Sequence, residues 1–242
     1  MLAIYKREMR SYFTTSTGYV FLFISLAISG LLLGITTLLS GTSDTSSFFS
    51  IMLFMLIIFL PILTMKTFSE EKKTKTEQLL LTAPIRTSSM VMGKFLAAFS
   101  MFFISVLLTG IYILIVYGYA NNDGLSSHGP NIAMLMGDTL ALLLVGMVFI
   151  AVGMFVSSLT ENQFASVLIT ILILLALLLV NVLNSLISVQ FIRDIFNFLS
   201  IYSRFKNFTY GMFDISALVY YLSVTGIFIF LTVRVFESRK VR

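Results

Sequence analysis

Thr139-Leu-Ala-Leu-Leu-Leu-Val-Gly-Met-Val-Phe-Ile-Ala-Val-Gly-Met-Phe-Val-Ser-Ser158 contains no charged residue. At 1.5 Å per residue, a helix of this length extends about 30 Å, the thickness of the hydrocarbon core of a bilayer. The run predicts a transmembrane helix. A charge at a helix centre costs roughly 2.5 to 3.5 kcal/mol on insertion, so the gaps between charges mark the spans. Working outward, five further charge-free gaps cover residues 19–39, 48–65, 95–119, 164–183 and 215–233. None alternates with period two, which argues against a barrel. The expected fold is an all-α integral membrane protein with six transmembrane helices, residues 1–242 forming a single transmembrane domain.

Composition agrees. The 242 residues are 58% hydrophobic and only 11% charged, against about 25% charged in soluble domains, and mean hydropathy is +0.99. With no Cys and one His, disulfides, thiolate metal sites, cysteine nucleophiles and multi-histidine sites are excluded. A net charge of +5 would suggest nucleic acid in a soluble protein. In a membrane protein the position of the charges carries the meaning, and no nucleic-acid partner is expected.

Thirteen basic residues fall before the first span, between the second and third, and after the sixth; three (Arg193, Arg204, Lys206) fall on the other side. Both termini are therefore expected in the cytoplasm. The connection 159–163 has no basic residue and is placed inside by parity. No small-x-small cleavage site ends the first apolar run, which reads as a retained span. Before it, Leu2, Tyr5, Met9 and Tyr12 share one helical face while Lys6, Arg7 and Arg10 share the other. That pattern suits an amphipathic helix lying on the inner membrane surface, with a merely basic tail as the competing reading.

Residues 162–192 are free of charge, longer than one crossing requires, with Asn181, Asn184 and Ser185 interrupting the run. From Leu186 to Leu199, apolar residues keep helical spacing. This fits either a helix dipping back into the outer leaflet or an amphipathic helix on the outer surface.

The densely polar element is Lys66-Thr-Phe-Ser-Glu-Glu-Lys-Lys-Thr-Lys-Thr-Glu-Gln-Leu-Leu-Leu-Thr-Ala-Pro84. Thr74-x-x-Glu77 has the form of a capping box, predicting a short helix over about 75–82 that ends before Pro84. Its Leu79, Leu80 and Leu81 offer an apolar ridge between charged flanks, a suitable lever for a partner that pushes on the membrane domain. An ordinary positive-inside loop is the alternative.

Glu70-Glu71-Lys72-Lys73, Thr76-Glu77, Leu79-Leu80-Leu81-Thr82-Ala83-Pro84 and Gly93-Lys94 together resemble the cytoplasmic motif of type-2 ABC transporter permeases. Lys6 to Phe13, Gly18-Tyr19-Val20, Gly211 to Ile215, Tyr220 to Ser223 and Arg239-Lys240 look like the subgroup containing the gliding-motility permease and the permease of nitrous oxide reductase maturation. Lys75 departs from the pattern, since the family commonly has Gly there.

The resemblance implies a multi-pass permease subunit of a bacterial plasma membrane, working in an exporter and paired with a second permease copy or a paralogue. Each copy would bind a cytoplasmic ABC ATPase subunit, and the subgroup often works with an extracytoplasmic auxiliary protein. It further implies an elbow helix over 1–13, a cytoplasmic coupling segment over 66–94 with its coupling helix near 74–83, and outer re-entrant helices over 184–213. The expected ATPase-partner interface comprises Glu70, Glu71, Lys72, Thr76, Glu77, Leu79, Leu80, Thr82 and Glu161, the last in a smaller second contact near residues 160–163. ATP and Mg would belong to the partner, because this chain has no GxxxxGK[ST] sequence and is expected to hold no cofactor.

Two other classes remain as alternatives. An intramembrane enzyme needs a nucleophile and base or a metal site, but no Gly-x-Ser-x-Gly occurs and His128 lies in a polar outer loop. An ion-coupled carrier normally places ionisable groups inside its spans, and none lies within the gaps above. No catalytic or metal residue is assigned. Asp138 and Asp214 read as helix-start carboxylates at outer span ends. Gly30-Leu-Leu-Leu-Gly34 is a candidate close-packing seam between permease copies.

Overall fold

The computed structural model describes residues 1–39, 45–76, 86–122, 132–186, 190, 200–209 and 211–240. The regular elements among the described residues are helical: α1 (Leu2–Thr14), α2 (Ser16–Leu33), α3 (Ser46–Thr64), α4 (Lys66–Lys73), α5 (Thr87–Asn122), α6 (Ile132–Leu159), α7 (Gln163–Leu186), α8 (Ile201–Thr209) and α9 (Ile215–Lys240). A π-type turn, Gly34–Leu38, continues α2. Six stretches are long and apolar enough to cross a membrane: Ser16–Thr37, Ser46–Lys73, Thr87–Gly118, Ile132–Leu159, Gln163–Val180 and Ile215–Lys240. Each contains most of one span expected from the charge gaps.

The decisive run lies in α6, the centre of the bundle. A helix apolar on every face must be buried on every face or bathed in lipid. Here it is buried: from Val148 to Met154 no residue is appreciably exposed. Helices α3 and α9 pack along it, with α5, α7 and α8 completing the surround. Its glycines permit the closest approaches. A Cβ at Gly146 would collide with the Phe102 ring of α5, and one at Gly153 with the Thr64 hydroxyl of α3. The peripheral α7 instead turns Phe164, Leu168 and Leu172 outward at helical spacing, as expected where lipid is the solvent.

Hydroxyls tie α2 to α5 in two layers one turn apart. Ser105 Oγ donates to Ser25 Oγ at 2.9 Å, and Thr109 Oγ1 to Ser29 Oγ at 3.4 Å. Such bonds suit helix pairs in a medium that offers no water.

The segment after α3 differs from its expected form. Helix begins immediately at Lys66, and Thr74 ends it. The Thr74 hydroxyl points back to Glu70 O at 2.8 Å, while Lys75 takes φ 58° and its N–H donates to Lys72 O. This is a left-handed helix stop. Glu77 and the rest of the expected 75–82 helix lie outside the described residues. The third span also starts earlier than expected, at Thr87, so Lys94 sits two turns inside α5.

At the opposite end, α8 buries Ile201, Phe205 and Phe208 and leaves Lys206 exposed. Tyr221 donates from its hydroxyl to Ile201 O at 2.9 Å. Much of the expected re-entrant segment, including 187–189 and 191–199, lies outside the described residues, as does His128. Asp214 caps α9, accepting from Ser216 N at 2.9 Å and Ala217 N at 3.4 Å. Asp138 does not match its expected role. It is the seventh residue of α6 and fully buried, because α6 begins well before the charge gap does.

Candidate functional site at the basic end of the bundle

Most described basic residues gather at one end of the bundle, where α1, α4, the start of α5 and the ends of α6 and α9 meet. Lys94 is the anchor. Its side chain is 1% exposed, with Nζ 2.7 Å from Glu71 Oε1 and 3.8 Å from Glu8 Oε1. It also donates to Thr67 O at 2.6 Å and lies 4.8 Å from the centre of the Phe68 ring. A buried ammonium needs such a set of partners, since desolvation without them is costly. Arg7 closes the cluster, 2.7 Å from Glu8 and 3.3 Å from Glu71. Its hydrogen bond to Glu8 raises the guanidinium pKa further. Burial and then the nearby Glu8 carboxylate push the Tyr12 phenol well above its usual range, keeping it neutral.

A second cluster joins α4 to the end of α6. Lys72 Nζ lies 3.5 Å from Glu161 Oε1 and donates to Leu159 O at 3.4 Å. Arg239 of α9 donates to Ser158 O at 2.7 Å. Cations thus meet the carbonyl end of α6, where the helix dipole favours them. The connection 159–163 therefore sits at the same end as α1, α4 and the end of α9, the arrangement expected from parity.

Ser157 holds the break between α3 and α4. Its hydroxyl accepts from Phe68 N at 3.2 Å and Ser69 N at 3.1 Å, and donates to Met65 O at 3.1 Å. These amides start a helix and lack intrahelical partners, so a hydroxyl from α6 serves as a cap in trans.

The expected interface residues divide three ways. Glu71 is engaged inside the chain by Lys94. Lys72 and Glu161, from separate connections, are brought together, while Glu70 and Thr76 are exposed, Thr76 Oγ1 lying 2.9 Å from Thr74 Oγ1. Glu77, Leu79, Leu80 and Thr82 lie outside the described residues. Of the expected seam, Gly30 meets the Tyr112 ring at ordinary contact distance, and Gly34 has nothing within 4 Å. Lys94 and Ser157 were missed by sequence reasoning. The charge-gap rule sets Lys94 outside a span, though Gly93-Lys94 belonged to the motif.

A cavity of about 710 Å³ opens among α1, α2, α3 and α4, with Arg7, Glu8, Lys66, Glu70, Glu71 and Lys94 at its polar part. Among the described residues there is no group of three or more His, Asp or Glu that could hold a metal ion.

Six apolar helices, one of them buried at the centre of the bundle, define a multi-pass membrane protein. Residues 35–235 match the ABC-2 family transporter protein, and the chain belongs to that family. No curated protein matches the chain. ABC-2 membrane domains are generally non-catalytic permease subunits of ABC transporters and normally pair with a cytoplasmic ABC ATPase.

Proposed function

We propose that this chain is the permease subunit of an ATP-driven exporter, receiving motion at its basic end from a separate ATPase that binds ATP and Mg. The supporting observation is the Lys72–Glu161 pair at 3.5 Å, which joins the two connections expected to meet the ATPase. On this reading the basic end is cytoplasmic, α1 is the elbow helix, and α4 with the segment after it forms the coupling element. Glu70, Thr76 and Glu161 offer exposed polar contacts at that surface. Glu77, Leu79, Leu80 and Thr82 supply the remainder, with the leucines giving most of the affinity and the charges guiding orientation. Glu71 acts from behind, through Lys94.

A second permease copy or a paralogue completes the pathway, with Gly30 and Gly34 at or near the seam; the open space beside Gly34 leaves room for it. The gliding-motility and nitrous-oxide-reductase-maturation subgroup, a bacterial plasma membrane, an extracytoplasmic auxiliary protein and outer re-entrant helices belong to the same proposal. The test is ATPase co-purification and ATP turnover in reconstituted membranes. Leu80→Asp should abolish association, because an unpaired carboxylate buried in an apolar contact is strongly unfavourable. Wild-type association in that variant would remove the coupling role from this segment.

A further inference from the structure

The cavity under α1 changes character with depth. At its polar part, Arg7, Glu8, Glu71 and Lys94 neutralise one another through ion pairs of 2.7 to 3.8 Å. Lys66 and Glu70 line the same cavity one helical turn apart on α4. Neither belongs to an ion pair among the described residues, and Lys N-terminal to Glu at this spacing is the weaker order for a pair within a helix. Deeper in, the lining is apolar: Phe21, Ile24, Phe59 and Leu63 form the floor. Val20 and Ile62 also line the cavity yet are 48% and 37% exposed, so its apolar part opens sideways on the outside of the bundle.

These features select a ligand chemistry. A water-soluble ion would leave the floor uncovered, and a hydrocarbon would leave two opposite charges unmatched. An anionic headgroup would meet Glu70 as well as Lys66. A phosphate joined by a short arm to a primary ammonium matches both charges. The primary ammonium can also donate hydrogen bonds to the Glu70 carboxylate, which a trimethylated one cannot. Ile24 lies eight residues beyond the start of α2, about 12 Å deeper at the helical rise, where an acyl chain rather than a headgroup belongs. The cavity volume falls within the range of roughly 300 to 1,000 Å³ usual for small-molecule sites, enough for a headgroup and part of one chain.

We propose that this cavity binds one zwitterionic phospholipid of the phosphatidylethanolamine kind, its phosphate at Lys66, its ammonium at Glu70 and one acyl chain on the apolar floor. The lipid comes from the leaflet that meets the basic end. It wedges α1 against α2 and α3, so the site is a structural feature of the chain independent of any cargo.

The experiment uses the full-length chain in phosphatidylcholine vesicles carrying a trace of phosphatidylethanolamine with a photoreactive diazirine in its acyl chain. Cross-linked peptides should cluster at residues 20–24 and 59–63. Unlabelled phosphatidylethanolamine should displace the label, and phosphatidylglycerol should not. The Lys66→Gln/Glu70→Gln variant should lose roughly tenfold of the specific cross-linking, since two charge-assisted hydrogen bonds are removed. Lys73→Gln, which alters an exposed charge outside the cavity, should retain it. Ile24→Trp fills the floor and should abolish the cross-link with the polar part intact, so the proposal stays testable if the double variant does not fold. Even labelling of all spans, equal displacement by phosphatidylglycerol, or full cross-linking in both the double variant and Ile24→Trp would each overturn the proposal.

Discussion

Lys94 Nζ and Glu71 Oε1 lie 2.7 Å apart, and the lysine is almost wholly enclosed while the carboxylate is 19% exposed. The pair fastens α4 to the first turns of α5, and Glu8 brings α1 to the same nitrogen. Buried ion pairs of this kind contribute little beyond an apolar substitute of equal shape, yet losing one partner is costly.

Lys94→Met should therefore destabilise the chain by about 3 kcal/mol, the low end for a broken buried pair, because the carboxylates left behind keep some solvent. Adding Glu71→Leu should recover much of that loss. A double-mutant cycle on thermal unfolding in detergent measures the coupling. Additive losses would show that the two side chains act independently.

Lys75 holds φ 58° at the end of α4, a conformation that a Cβ makes unfavourable by roughly 1 to 2 kcal/mol. It stands where the family commonly has Gly. Lys75→Gly should raise stability by about 0.5 to 1 kcal/mol, after the added freedom of the unfolded chain is counted. Lys75→Val should lower it. The comparison is of melting temperatures, and a lower value for the glycine variant would contradict the argument.

At the other end, the Asn207 side chain and the Ala217 and Ser216 amides hold the Asp214 carboxyl below the usual carboxylate range. A folded pKa below the unfolded one adds stability at pH above the unfolded value, and that contribution is lost as pH falls through the folded value. Asp214→Ala should cost about 1 kcal/mol at neutral pH and progressively less in acid, whereas Asp214→Asn should cap α9 without this pH dependence. Unfolding followed from neutral pH into acid distinguishes the two variants. A constant difference between wild type and Asp214→Ala would mean that the carboxylate is not the capping form.

The absence of Cys permits a direct reading of sidedness. Glu161 lies beside Lys72 at the basic end, and Asn207 lies beside Asp214 at the opposite end, with Nδ2 donating at 3.2 Å. Single substitutions Glu161→Cys and Asn207→Cys should react with an impermeant thiol reagent from opposite sides of intact cells, Asn207→Cys from outside. External labelling of Glu161→Cys would reverse the proposed orientation.

The six spans were legible because lipid excludes charge, a constraint that acts on each segment separately. What charge gaps cannot register is a charge drawn inside by its partners, and Lys94 is held by groups from α1 and α4. Similarly, spacing singles out Gly30 and Gly34, while close approaches of the central helix to its neighbours fall at Gly146 and Gly153. Those two lie seven residues apart on one face of α6, a signal visible in the sequence but meaningful only with Phe102 and Thr64 opposite. Thr74 is ambiguous in the sequence for a related reason. Thr74 can cap a helix that follows or stop one that precedes, and α4 occupies the preceding side.

Ser157 is the extreme case, since nothing near it in sequence hints at partners 88 and 89 positions away. Its hydroxyl satisfies two amides at the start of α4 and the carbonyl of Met65. Ser157→Ala should leave the two amides buried without that acceptor, while Met65 O keeps the Ser69 hydroxyl, at a cost of about 1 to 3 kcal/mol. The loss falls on the joint between α3 and α4, while Lys94, through Thr67 O and Glu71, and the Lys72–Glu161 pair still hold the helix itself in place. If α4 transmits the partner's motion, a loosened joint should separate binding from transmission. Ser157→Ala should then still co-purify with the ATPase, while the effect of the permease on ATP turnover falls well below wild type. Unchanged turnover alongside a measured loss of stability would confine Ser157 to folding and move transmission away from α4.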